Sequence, residues 1–201
     1  MVPKAQRYDL LAGLFDYPQD DYASRLDRCA RALEDGDASS AELLKPLDDL
    51  VRDMSVVQIQ ELYTRTFDIN PVCTLEIGWH IYGEDYARGA FLVKMRQRMR
   101  EMNVLESREL PDHLTHVLIL LGRLTGDEAD ELAARYLLPA LEKMLTGMND
   151  EEHPYRAVLK AVSQVVRGDH DVQVVAPRQH RGDPPGWGNP LPVFGAQRRG
   201  S

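Results

Sequence analysis

Two short stretches of the chain hold residue types at spacings that could do chemistry. Glu76, His80 and Glu84 recur every four residues, which on an unbroken helix would align three metal-ligand types on one face. His113 and His116 add two imidazoles three residues apart. Together, His80, Glu84, His113 and His116 suit a carboxylate-bridged metal site inside a helix bundle. Such sites use Glu-x-x-His pairs from two helices, and no such pair occurs here. Gly78 and Gly83 also interrupt the first triplet. A metal-dependent helical enzyme is therefore the alternative reading, set against histidines that cap or hydrogen-bond. Asp112-His113 suggests a proton relay, but neighbours on a helix point some 100° apart and no nucleophile accompanies them. The bland reading puts Asp112 at a helix N-terminus, where a carboxylate favours the dipole, and leaves His113 to line a groove. There is no GxxxxGK[ST] and no GxGxxG before a helix, so nucleotide binding has no motif behind it.

The elements that must position these residues read as helices. Tyr8, Leu10, Leu11, Leu14 and Phe15 form a first apolar face, stopped at Tyr17-Pro18. Tyr22, Leu26, Cys29 and Leu33 form a second. Ser39-x-x-Glu42 resembles a capping box before Leu43–Val51, with Pro46 predicting a kink or a late start. Ser55-x-x-Gln58 is a second box, opening the helix of Leu62, Tyr63 and Phe67. That helix breaks at Asn70-Pro71 and restarts through Gly78 and Gly83. A long charged helix follows over 84–102, with Glu84 placed to cap it. Pro111 suits a first helical residue and Asp127 a cap. Pro139 should kink or split the helix of Leu132–Leu145, Gly147 should end it, and a last helix runs from Tyr155 to Gly168. The expected fold is all-α, a single-domain bundle of about eight helices over 1–168.

Residues 169–201 are rich in proline and glycine and read as a flexible tail, with Trp187 and Phe194 as its large apolar residues. Its charge sums to about +1 within a chain of net charge −8, so the helical body is the acidic part. That balance argues against nucleic acid and fits a basic peptide partner. Two unpaired cysteines, no apolar leader and no long apolar run point to a cytoplasmic protein without a disulfide framework.

Three motifs then carry a resemblance. Tyr63-x-x-x-Phe67-Asp68, His80-x-x-Gly83-Glu84-x-x-x-Arg88-Gly89 and Glu109-Leu110-Pro111-Asp112-His113-Leu114 resemble, in this order, those of the nitrate reductase delta subunit. These are the NarJ-type chaperones within the wider TorD/DmsD group of redox-enzyme maturation proteins. The resemblance covers roughly Tyr8 to Gly168. It implies an all-helical TorD/NarJ-like chaperone, not an enzyme, with no catalytic residue and no resident cofactor. Its implied partner is the N-terminal segment of the apo catalytic subunit of a molybdenum enzyme, held open until bis-molybdopterin guanine dinucleotide is inserted. By resemblance, Pro111, Asp112, His113 and Leu114 belong to the peptide groove. Tyr63, Phe67, His80, Glu84 and Arg88 are walls or supports, with Arg88 expected to pair with a buried carboxylate. Asp68, Glu84, Asp85 and Asp112 are expected to meet the client's basic residues. Thr115 stands where relatives of the nitrate reductase branch often have proline, and Asn70-Pro71-Val72-Cys73 departs from their shorter link. A related selenate, perchlorate or dimethyl-sulfoxide reductase-type client is the alternative. A monomer or a helix-swapped dimer is expected.

Overall fold

The computed structural model describes residues 2–34 and 36–172. Among them the regular structure is helical, apart from an isolated antiparallel bridge between Glu76 and His113. The helices are α1 (Lys4–Ala12), α2 (Tyr22–Glu34), α3 (Ala38–Glu42), α4 (Lys45–Arg52), α5 (Val56–Tyr63), α6 (Ile77–Tyr82), α7 (Tyr86–Glu101), α8 (Leu114–Arg123), α9 (Gly126–Leu132), α10 (Leu138–Gly147) and α11 (Pro154–Asp169). A π turn over Thr64–Asp68 extends α5, and another over Ala133–Leu137 joins α9 to α10. The fold is all-α, as the residue pattern predicts.

The described helices outnumber the expected eight for local reasons. Asp37, not Ser39, caps α3 by accepting from the Ser40 amide, and Pro46 delays the next helix to Lys45. The restart at Gly78 is a helix of its own, α6. Pro139 has no N–H, and its ring crowds the carbonyl four residues back, at Arg135. The chain answers with the π turn over Ala133–Leu137, in which the Leu138 N–H reaches Ala133. Ser55 and Gln58 do form the expected capping box. Asp85, rather than Glu84, caps α7 through the Ala87 amide. At the other end of α7, Asn103 takes a positive φ of 54°. The Val104 N–H then returns to Met99 and the Asn103 N–H to Arg100, a Schellman closure that turns the chain sharply.

One core runs through these helices, from Tyr8 and Leu11 on α1 to Val162 and Val166 on α11. Helix α1 lies close on α8. A Cβ at Gly122 would sit 2.8 Å from that of Tyr8. Among the described residues no helix is long and apolar enough to cross a membrane. The Pro/Gly-rich segment, with Trp187 and Phe194, lies outside the described residues from 173 onward.

Candidate functional site

Five chain segments converge on a cleft of about 520 Å³. Phe15, Asp16 and Tyr17 come from the link after α1. Tyr63, Phe67 and Asp68 come from the end of α5 and its π turn. Thr74, Leu75 and Glu76 precede α6, Ser107, Arg108 and Glu109 lie between α7 and α8, and His113 caps α8.

The floor is aromatic. Tyr63 meets Phe67 edge-on at 5.2 Å between centroids and Tyr17 at 5.6 Å, while Phe67 meets Phe15 at 6.1 Å and Tyr155 at 4.8 Å. Edge-to-face pairs of this kind add about 0.5–1.5 kcal/mol each beyond their area. The phenol of Tyr63 donates to the Phe15 carbonyl at 2.7 Å, and Gln60 on α5 donates to the Pro18 carbonyl at 2.8 Å. These two bonds fix the Phe15–Pro18 link against α5. Tyr17 is left 47% exposed on the wall, while Phe15, Tyr63 and Phe67 are buried beneath. The π turn helps here. Its Ile69 N–H bonds five residues back to Thr64, which re-aims the last turn of α5.

The rim is acidic. Asp16, Asp68, Glu76 and Glu109 line the cleft against one cation, Arg108. Burial raises the carboxyl of Asp16 above the ordinary range. Burial also raises that of Glu76, with the Asp112 and Glu109 charges adding to the effect and Arg88 opposing it. A cation entering the cleft would relieve that repulsion.

The Pro111–His113 segment is not helical, and α8 starts only at Leu114. The backbone here is used in pairing with the strand-like link before α6: Ile77 N–H to Asp112 O at 2.9 Å, and Leu114 N–H to Leu75 O at 2.8 Å. This tertiary pairing overrides the helix-start signal of Pro111, and α8 begins three residues later. Asp112 is 0% exposed, so it is not on the rim. Its carboxylate accepts from the Gly78 N–H at 3.1 Å and caps α6 from another part of the chain. Arg88 reaches the same oxygen at 3.4 Å and lies over the Trp79 ring. Burial still outweighs Arg88 and holds the Asp112 carboxyl above its ordinary range. Pro111 and Leu114 are buried. Of this segment, His113 reaches the cleft.

The other expected site residues fall into two groups. Tyr63, Phe67, Asp68 and His113 come together in the cleft. His80, Glu84 and Arg88 do not line it. His80 is buried on α6 with Nε2 at 2.7 Å from the Thr74 carbonyl, where it braces the Thr74–Glu76 wall. Glu84 and Asp85 are exposed at the turn before α7. The sequence reading missed Phe15, Asp16, Tyr17, Arg108 and the lining role of Glu76. The Tyr17-Pro18 pair was visible only as a helix stop.

The described histidines are engaged in hydrogen bonds rather than gathered as ligands. Among the described residues no group of three or more His, Cys, Asp and Glu side chains is placed to hold a metal ion. His116 is buried, its Nδ1 donating to the Leu110 carbonyl at 2.9 Å and its Nε2 accepting from the Ser107 N–H at 3.2 Å. One imidazole thus pins both ends of the loop that forms the Ser107–Glu109 wall. His116→Phe keeps the bulk and removes both bonds. It should cost about 1–3 kcal/mol of stability and speed hydrogen exchange at the Ser107 amide, measured by amide exchange mass spectrometry.

His113 caps α8 by accepting the Thr115 N–H on Nδ1 at 3.3 Å, which puts its proton on Nε2. Burial, with His116 nearby, lowers it from 6.5 to about 4. The folded value is the lower, so the unfolded chain takes up the proton first as the pH falls. This contribution is whole above about pH 6.5 and drains away toward pH 4. The loss is about 3 kcal/mol, since each pKa unit is 1.36 kcal/mol. His113→Asn retains a cap acceptor. Denaturant melts from pH 7 to 4 should show its stability falling by about that much less than the parent's.

The fold and this geometry define an all-helical protein with a preformed aromatic cleft under an acidic rim. Comparison with known proteins narrows the class. The family model for the nitrate reductase delta subunit matches residues 33–160, and the chain belongs to that family. Two curated relatives are the nitrate reductase molybdenum cofactor assembly chaperones NarJ of Escherichia coli strain K12 and of Escherichia coli O157:H7. Each is 27% identical over 128 residues, covering 61% of this chain and 54% of the relative. The chain thus spans about half the length of the curated relatives it matches.

Proposed function

We propose that the protein is a molybdoenzyme assembly chaperone, not an enzyme, whose cleft holds the N-terminal segment of an apo catalytic subunit in the cytoplasm. Respiratory nitrate reductase is the client, and the cleft keeps it competent for molybdenum cofactor insertion and complex assembly. The observation that carries this reading is the pairing of an aromatic floor with four carboxylates and one arginine around it. That lining suits an amphipathic helix with one apolar face and basic flanks. Ile69 and Leu110, next in the chain to lining residues Asp68 and Glu109, are exposed apolar side chains.

In this scheme apolar side chains of the client displace water from Tyr17 and the floor beneath it. Asp68 and Glu109, both exposed, meet its Lys or Arg residues. Asp112, Arg88 and His80 do not touch the client; they position the Thr74–Ile77 wall by capping α6 and bonding its approach. Family membership and the relatives' names support the chaperone role.

The test is calorimetric titration of a synthetic peptide of the client's N-terminus. The parent should bind. The double variant Asp68→Lys, Glu109→Lys should bind about 10–100-fold more weakly at low salt, mainly through slower association. The gap should shrink near 1 M salt, where screening reaches about 3 Å. Equal affinity for parent and double variant at low salt would remove the acidic rim from the account.

A further inference from the structure

We propose that the cleft has a second occupant, the chain's own C-terminal segment, which competes with the client in cis. This rests on the cleft being the peptide site, and it adds a regulator to that reading. Residues 173–201 carry four arginines (Arg178, Arg181, Arg198, Arg199) and one aspartate, net +3. The rest of the chain is then −11. Within the segment, Leu191, Val193 and Phe194 precede Arg198-Arg199, so apolar anchors lie a few residues from a double positive charge. The cleft has the matching order, aromatic below and carboxylate above.

Reach is sufficient. Phe194 is 22 residues beyond Val172, the last described residue. At 3.3–3.6 Å per residue the link spans at most roughly 70–80 Å, more than the roughly 40 Å width of a body this size. A tethered segment acts at an effective concentration of about 1 mM. If its own affinity is about 0.1 mM, it weakens the client's apparent affinity about tenfold, because the site is free only part of the time. The segment would cover Tyr17 until a tighter-binding client displaces it.

The test has two arms on the full-length chain. In the first, Phe194→Ala, Arg198→Ser and Arg199→Ser are combined, and the synthetic client peptide is titrated. The triple variant should bind several-fold more tightly than the parent; equal or weaker binding overturns the proposal. In the second, a photo-crosslinking phenylalanine analogue replaces Phe194 and no client is added. Crosslinks should map within one chain to the Asp16–Tyr17, Asp68 or Ser107–Glu109 walls and disappear when excess tail peptide is present. Crosslinks elsewhere, between chains or absent overturn it. Cleft crosslinks in a protein that binds no client peptide would retain this inference and sink the chaperone reading instead.

Discussion

Tyr17→Ala should weaken client-peptide binding by about 30-fold or more while leaving the fold intact. Tyr17 is a half-exposed aromatic resting edge-on against Tyr63, on the wall of a cleft floored by buried rings. Anchors of this kind at peptide sites account for 2 kcal/mol or more when truncated, and 2 kcal/mol is about 30-fold. The stability cost should be small by comparison, on the order of 0.5–1.5 kcal/mol for the lost ring pair. Tyr63→Ala is the informative contrast. It removes a buried ring and the bond to the Phe15 carbonyl, and should cost about 3–5 kcal/mol of stability. Titration calorimetry and denaturant melts on the two variants separate contact from support. Unchanged peptide affinity in Tyr17→Ala would place the client elsewhere.

The largest expected stability effect outside the rings is at Gly78. A Cβ there would lie 2.5 Å from Asp112 Oδ2 and 3.0 Å from the Phe91 ring. The ring is packed parallel against Tyr136 at 4.8 Å and cannot easily retreat. The carboxylate would have to leave the Gly78 amide that it caps. Gly78→Ala should therefore cost about 2–4 kcal/mol, combining overpacking with a lost buried hydrogen bond to a charged acceptor. Because α6 and the Thr74–Glu76 wall move together, peptide affinity should fall as well. Gly83→Ala is strained for a different reason, its φ of 60° with ψ of −131°, a combination that glycine alone adopts readily; nothing crowds it, so its cost of about 1–3 kcal/mol should leave the cleft alone. Peptide titration distinguishes the two.

The helices were legible because their apolar spacing is local. The core positions of α2, α5 and α11 fall where a 3.6-residue period puts them. What failed to show was set by contacts distant in sequence. Pro111 looks like a helix start until Asp112–Leu114 is seen pairing with Leu75–Ile77 across more than thirty residues. Asp112 looks like a rim acid for the same reason, whereas it caps a helix that precedes it in the chain. The cleft draws its lining from five segments, and no periodicity links Tyr17 to Arg108. Four of the residues proposed from motifs, Tyr63, Phe67, Asp68 and His113, do meet there, and the motif that carried each of them is short. The charge balance was readable from composition, but which carboxylates face the cleft was not.

The most direct test is chemical-shift mapping of the labelled full-length protein as the synthetic client N-terminal peptide is added. The account predicts the largest perturbations at Asp16–Tyr17, Asp68–Ile69, Ser107–Glu109 and His113. Perturbations centred instead on the outward face of α7, or none at saturating peptide, would contradict it.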